Sequence, residues 1–497
     1  MTMMRLLRAG SLAAALVAGV FAPATAQNKV SVGLIQEPPG LDPTVRTAAV
    51  INYITMVNIF EGLTKFKEDG TVEPNLASRW EISPDAKTYT FHLLKGVKFA
   101  DGSDFTSNDV KWTFERNAGP NSQNNSKRYF ALMEKIETPD PHTVVIHLKE
   151  PNSLLLFRLA WGGSSIVSEK TAATNVNSPI GTGAFMLDSW VKGGAIRLKR
   201  NPHYRNPAAV KLDSVTFTVI QEPSAQVAAL QAGDIDVFPQ MGAAESIPLF
   251  ESNPNFVVYK GASESEVVAG MNNKRKPFTD ARVRRAILLG INRTNVMQAS
   301  HFGFGRPIGS HFSINHPAYV DLTAKSAYNP EEAKRLLTEA GYKDGLTISM
   351  RLPDLVWTHR GAEVMQADLR KIGITLKIEK YQWAQWLEVV FRNRDYDMMF
   401  IGHVDPMDIA VYADDNYFYG YDNKVFKEIW RKVETATTQE AQYEWMRKAQ
   451  EQLAADLPVA YLYQTTHLTV ARKGLVGIWK NMPHYMADMT HVYWEKK

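Results

Sequence analysis

The stretch Leu346-Thr347-Ile348-Ser349-Met350 alternates apolar and polar side chains. Residues 362–372 follow with helical spacing and stop at Gly373, and Ile374-Thr375-Leu376-Lys377-Ile378 alternates again. Period two reads as a half-buried strand and period 3.6 as a helix with one apolar face. Strand, helix and strand in so short a span require parallel pairing joined by a right-handed crossover. This passage therefore predicts an open α/β sheet.

The same logic extends toward the N-terminus. Asn329-Pro330-Glu331-Glu332 offers a cap, a proline at the first helical position and a glutamate three residues after the cap; Leu336, Leu337 and Ala340 follow, and Gly341 closes. Asp280 caps a helix carrying Val283, Ala286, Ile287 and Ile291 on one face. Val215, Phe217 and Val219 alternate, Pro223 opens a short helix ended by Gly233, and residues 235–238 form a second strand, a small βαβ unit. Residues 30–180 read mostly as strands and turns, with Tyr89, Phe91 and Leu93 and then Val144, Ile146 and Leu148 alternating; Asp101-Gly102 marks a turn and 117–126 a polar loop. The pattern predicts two α/β lobes with a β-rich insert. Ligands of such sheets sit beyond strand C-termini and in clefts between domains.

A chain of 497 residues is too long for one ordinary domain, and 45% hydrophobic with 22% charged residues is a globular composition. The net charge is +4; two of the positives, Arg5 and Arg8, lie in an acid-free N-terminal segment. No basic stripe remains, so nucleic acid is not an expected partner. The absence of cysteine excludes disulfides, thiolate metal sites, a cysteine nucleophile and a lipidated N-terminal cysteine. Arg5 and Arg8, the apolar run 12–21 and the small-residue site Ala24-Thr25-Ala26 predict an export signal cleaved after Ala26. A mature chain without a lipid anchor suits the periplasm.

Enzyme motifs are missing: there is no HExxH, no G-x-S-x-G elbow and no P-loop. Gly303-Phe304-Gly305-Arg306-Pro307-Ile308-Gly309 has the wrong spacing for a dinucleotide and reads as a loop. His484 and His491 are too far apart in sequence for a metal pair. Asp405, Asp408, Asp414 and Asp415 read as a solvated loop or as a carboxylate pair of a hydrolase. Residues 396–401 read as a buried strand running into Gly402-His403-Val404-Asp405-Pro406, which puts Asp405 just past a strand's C-terminal end. A carboxylate held there is a natural partner for a ligand ammonium. Trp383 and Trp386, after a strand and at a helix start, belong to the core or stack on a ligand.

Together, several motifs resemble those of periplasmic solute-binding proteins of ABC importers, family 5, the dipeptide, oligopeptide and nickel class. They are Leu41-Asp42-Pro43, Phe60-Glu61-Gly62-Leu63, Pro74-Asn75-Leu76-Ala77-Ser78-Arg79-Trp80, the run 89–102, Phe105-Thr106-Ser107-Asn108-Asp109-Val110, Pro179-Ile180-Gly181-Thr182-Gly183, Asn201-Pro202-His203-Tyr204, Leu230-Gln231-Ala232-Gly233-Asp234-Ile235-Asp236, Met271-Asn272-Asn273, Pro277-Phe278 and 282–287. Gly96, Gly102 and Gly181 look like turn residues. The resemblance implies a type II periplasmic-binding-protein-like α/β fold of two lobes with an additional β-rich inserted domain. The expected divisions are 27–67, 180–267 and 470–497 for a split lobe, 68–179 for the insert and 268–469 for a hinged lobe. It implies a monomer that closes on a small solute and docks on an inner-membrane permease, without catalysis or cofactor. In the peptide branch an aspartate in the loop after the strand near 400 holds the α-ammonium, and Asp405 matches. Arg351 and Arg360 are candidates for the carboxylate, Trp357, Trp383 and Trp386 for apolar and cation–π contact, and Leu41 and His403 for the remaining lining. Related members bind opines, nickel chelates, haem, glutathione or oligosaccharides, and His403 is the residue a chelate carrier would use.

Overall fold

In the computed structural model Leu346–Pro353 and Ile374–Tyr381 pair in parallel from Leu346↔Ile374 to Pro353↔Tyr381, and the helix Val356–Lys371 crosses between them. The structure describes residues 28–45, 48–405 and 407–495. The expected export signal, 1–26, lies outside the described residues. Among these, no helix is long and apolar enough to cross a membrane.

One mixed sheet runs through most of the molecule. From one edge its order is Ile374–Tyr381, Leu346–Pro353, Met398–His403, Phe256–Met271, Val459–Arg472, Val237–Phe238, Lys29–Leu34, Ser214–Val219, Ala195–Arg200 and Phe185–Trp190. The two long central strands are antiparallel. At about 3.3 Å per residue, the 16 residues of Phe256–Met271 are long enough to serve both halves. The half bearing Lys29–Leu34 packs around Val32, Phe60, Phe185, Leu198 and Phe217. The other half has one core on Ile287, Met350, Leu369 and Phe400 and a second on Tyr396, Tyr412, Phe426 and Trp430. A separate four-stranded sheet, Ala77–Ile82, Thr88–Leu93, Thr143–Leu148 and Met133–Asp140, has its own core around Phe91, Phe99, Phe114 and Ile146.

Local signals set many boundaries. The Asp280 carboxylate accepts from Arg282 N–H and the Asn329 side chain from Glu332 N–H, capping their helices. Gly233 ends Pro223–Ala232 at φ +89°. Three expectations are corrected. Ser107–Ala118 is a helix inside the region read as strands and turns; the Asp109 carboxylate accepts from Thr106 N–H at its start. The crossover helix begins at Val356, six residues before its apolar period, because its first turns face a cleft rather than the core. Within the glycine-rich loop, Gly305–Pro307 pairs with Val459–Arg472.

Candidate functional site

The two central strands lose register between Ala262 and Glu266. A bulge of this kind bends the strand and re-aims side chains. Gln464 holds it: its Nε2 donates to the Ser263 carbonyl and, at 2.9 Å, to Ser313 Oγ, while its Oε1 accepts from Ile314 N–H at 3.1 Å. Ser263 Oγ also donates to the Thr465 carbonyl at 2.9 Å. Outside the bulge the strands join the half that bears Lys29–Leu34; inside it Glu266–Met271 pairs with Met398–His403.

At this change of partner lies a cavity of about 730 Å³. Ile35, Met241, Met482 and Tyr485 line one wall, Trp357, Arg360, Trp383, Ile401 and Val404 the other, and Ser263, Ser265, Thr465 and His467 the back. Six large apolar side chains left exposed by the fold, Ile35, Phe302, Leu355, Val356, Trp383 and Val404, all line it. Clustered exposed apolar surface marks a binding site far better than scattered residues do. Arg360 and Glu245 are the charged side chains of the lining, with the Arg360 guanidinium 5.1 Å from the centre of the Phe302 ring. Burial lowers His301 and His467 to about 4, so both are neutral near pH 7.

Val404 belongs to this cavity and Asp405, the next residue, to an adjoining one of about 50 Å³ with Arg128, Arg158, Met407 and Asp408. Asp405 is exposed as a residue, while the protein around its carboxyl group encloses it in part. That enclosure raises it to about 6, and the charge of Asp408 pushes the same way. Behind it, His403 is committed at both ring nitrogens, Nδ1 to Asp408 and Nε2 to the Tyr419 hydroxyl. Burial opposes the charge on Asp408, but His403 holds that carboxyl below its usual range. Glu264 and Glu266, on the bulged strand, are both raised by burial, Glu264 to about 8.

The structure brings together Trp357, Trp383 and Arg360 in the main cavity and Asp405 beside it. Trp357 packs edge-on against Phe400 at 5.1 Å; Trp383, 50% exposed, stacks on Trp386 at 5.5 Å. The other expected residues lie elsewhere. Trp386 is 1% exposed and donates its indole N–H to the Arg351 carbonyl at 3.1 Å, a core role. Arg351 is held by Glu379 at 3.0 Å and Asp395 at 2.7 Å, and lines neither cavity. Leu41 is fully buried in the core around Val32 and Phe60. His403 is turned into its hydrogen bonds and has no ring nitrogen left for a metal. Arg128, Tyr129 and Arg158 escaped the sequence reading because they come from the insert, distant in sequence from the strand that ends at Asp405.

The family of bacterial extracellular solute-binding proteins, family 5 Middle, has a model that matches residues 71–424. Di/tripeptide-binding protein 1 of Pseudomonas aeruginosa (strain UCBPP-PA14) is 29% identical over 478 residues, 88% of this chain and 89% of that protein. The dipeptide-binding protein of Escherichia coli (strain K12) is 30% identical over 387 residues, 71% of each chain. Among solved structures, the ABC transporter-associated periplasmic binding protein DppA from Helicobacter pylori, in complex with the peptide STSA, superposes with a TM-score of 0.79. It is 26% identical, and the match covers 94% of this chain and 98% of that one.

Proposed function

Because this chain belongs to the bacterial extracellular solute-binding proteins of family 5 and has their type II periplasmic-binding-protein fold, we propose that it captures a short peptide or peptide-like, amino-bearing solute in the cleft between its lobes. In this reading the closed form delivers the solute from the periplasm to an inner-membrane ABC permease, as a monomer and without chemical turnover. The carrying observation is the cavity of about 730 Å³ on which six exposed apolar side chains converge, with Arg360 in its wall and Asp405 lining the adjoining cavity. Asp405 takes the ammonium, Arg360 a carboxylate, and Trp357 and Trp383 the apolar body between them. Closure is a population shift, driven by tighter binding of the solute to the closed form. Small-peptide binding by the relatives supports the choice of solute.

Mass spectrometry of small molecules released from purified wild type and Asp405→Ala tests this. Short peptides or an amino-bearing conjugate released by wild type alone are the expected result. A sugar or metal chelate released equally by both proteins overturns the peptide reading and the role of Asp405. Quenching or enhancement of tryptophan fluorescence on adding back the released solute, lost in Trp383→Leu, locates it in the cleft.

A further inference from the structure

Two guanidinium groups share one tyrosine ring beside Asp405. The Cζ of Arg158 lies 3.4 Å from the centroid of Tyr129, and that of Arg128 lies 4.7 Å away. A cation over an aromatic ring is favourable, but two cations on one ring repel each other. Arg128 donates to the Tyr129 hydroxyl at 2.5 Å. Arg158 is the deeper, with its side chain 11% exposed and its nearest carboxylate, Glu434, 4.0 Å away, beyond hydrogen-bond length. Among the described residues its guanidinium makes no hydrogen bond.

Both arginines line the cavity of about 50 Å³ whose other wall carries Asp405 and Asp408. At roughly 10–15 Å³ for one water, this is room for a group of a few heavy atoms. Among the described residues no ion pair of 4 Å or less joins either arginine to either aspartate. Asp408 is engaged by His403, so Asp405 is the carboxylate that remains to meet a ligand. The cavity thus offers donors for an anion on one side and an acceptor for an ammonium on the other.

We propose that this cavity binds an intact α-amino-acid head, with Asp405 holding its ammonium and Arg158, assisted by Arg128, holding the carboxylate on the same carbon. The inference rests on the amino-bearing solute proposed above and narrows it: the first residue of that solute is joined to the rest through its side chain, which leaves its α-carboxylate free. An ordinary α-peptide converts that carboxylate to an amide and leaves the two crowded guanidiniums, among the described residues, with no anion within hydrogen-bond distance, Glu434 standing 4.0 Å from Arg158.

Isothermal titration with γ-glutamyl-leucine and α-glutamyl-leucine, isomers of equal composition and charge, tests the assignment. Wild type is expected to bind the γ isomer at least about tenfold more tightly, the size of one charge-assisted hydrogen bond. Arg158→Leu abolishes the preference by weakening the γ isomer alone. Arg128→Gln, at an exposed position, reduces it and guards against a folding defect in the first variant. Equal binding of both isomers, or a γ preference that survives both substitutions, overturns the assignment and leaves the amino-bearing reading standing. Failure of both isomers to bind overturns it too, and the released-solute experiment then shows whether the broader reading falls with it.

Discussion

Asp405, proposed above as the ammonium anchor, has a displaced proton equilibrium. Its carboxyl moves from 3.8 to about 6, first through enclosure and then through Asp408. An acid raised in this way binds more protons folded than unfolded between those values, so the solute-free protein loses stability as pH rises through that window. A bound ammonium acts in the opposite direction by favouring the carboxylate. Affinity for an amino-bearing solute is therefore full above about pH 7 and falls by up to about tenfold per unit below pH 6. Asp405→Asn is expected to weaken binding by about 10–100-fold near neutrality and to flatten this dependence, as titration calorimetry at about pH 5 and pH 7.5 would read. A pH slope unchanged by the substitution would remove Asp405 from the site. The position of this residue was legible because an apolar strand run ends in a polar loop, a pattern written locally. The commitment of Arg351 was not, since Glu379 becomes its neighbour only through the register Arg351↔Glu379 of two parallel strands. Leu41 shows the same limit: an apolar residue reads alike whether it faces a core or a cleft.

Several of the recognised motifs meet at one buried ion pair. Glu61, 3% exposed, takes both arms of Arg205, at 2.6 and 2.8 Å. Thr182 donates to the same carboxylate at 2.9 Å, and Arg205 also reaches Asn75 at 2.9 Å. The segments around 60, 75, 180 and 205 are thereby tied into one joint between the insert and the lobe. Gly181 belongs to it for a reason the sequence did not disclose. Its φ is not left-handed, so it is no turn glycine like Gly96 or Gly102; a Cβ there would overlap the Ile59 carbonyl. Removing one partner of a buried pair strands the other charge. Arg205→Met is expected to cost roughly 3–5 kcal/mol, read from the denaturant midpoint, and adding Glu61→Gln should recover much of it. A midpoint shift below about 1 kcal/mol would mean the pair is solvated and does not hold the joint. Elements with caps and glycine stops were readable in advance. The helix Ser107–Ala118 was not, because its buried face is carried largely by Val110, Thr113, Phe114 and Asn117, too polar a stripe to show a period.

Across the whole molecule, one place where the insert packs on the other half is the chain step from Leu154 to Leu155. Leu155 belongs to the core of the insert, while Leu154, 2% exposed, belongs to the core around Tyr412 and Met446 in the other body. Ser153 fixes the crossing: its N–H donates to the Glu434 carbonyl at 2.8 Å, its hydroxyl to Val433 at 2.7 Å, and Gln442 donates to that hydroxyl at 2.6 Å. Any opening that separates these bodies must draw Leu154 out of an apolar pocket, a cost of about 1.5–3 kcal/mol. The side chain therefore favours the described arrangement of the two bodies, which the proposed function takes as the closed form, whatever the solute. Truncating it to alanine lowers the closed population, and apparent affinity falls with the fraction that is competent to bind. Leu154→Ala is expected to weaken every solute by one common factor of about 10–100 and to enlarge the solute-free particle in small-angle scattering. Asp405→Asn weakens only solutes that carry an ammonium, so the two variants separate recognition from closure. Unchanged affinity together with an unchanged scattering profile would show that the lobes move without releasing Leu154, and would place the hinge motion entirely within the strands around Ala262 and Glu266.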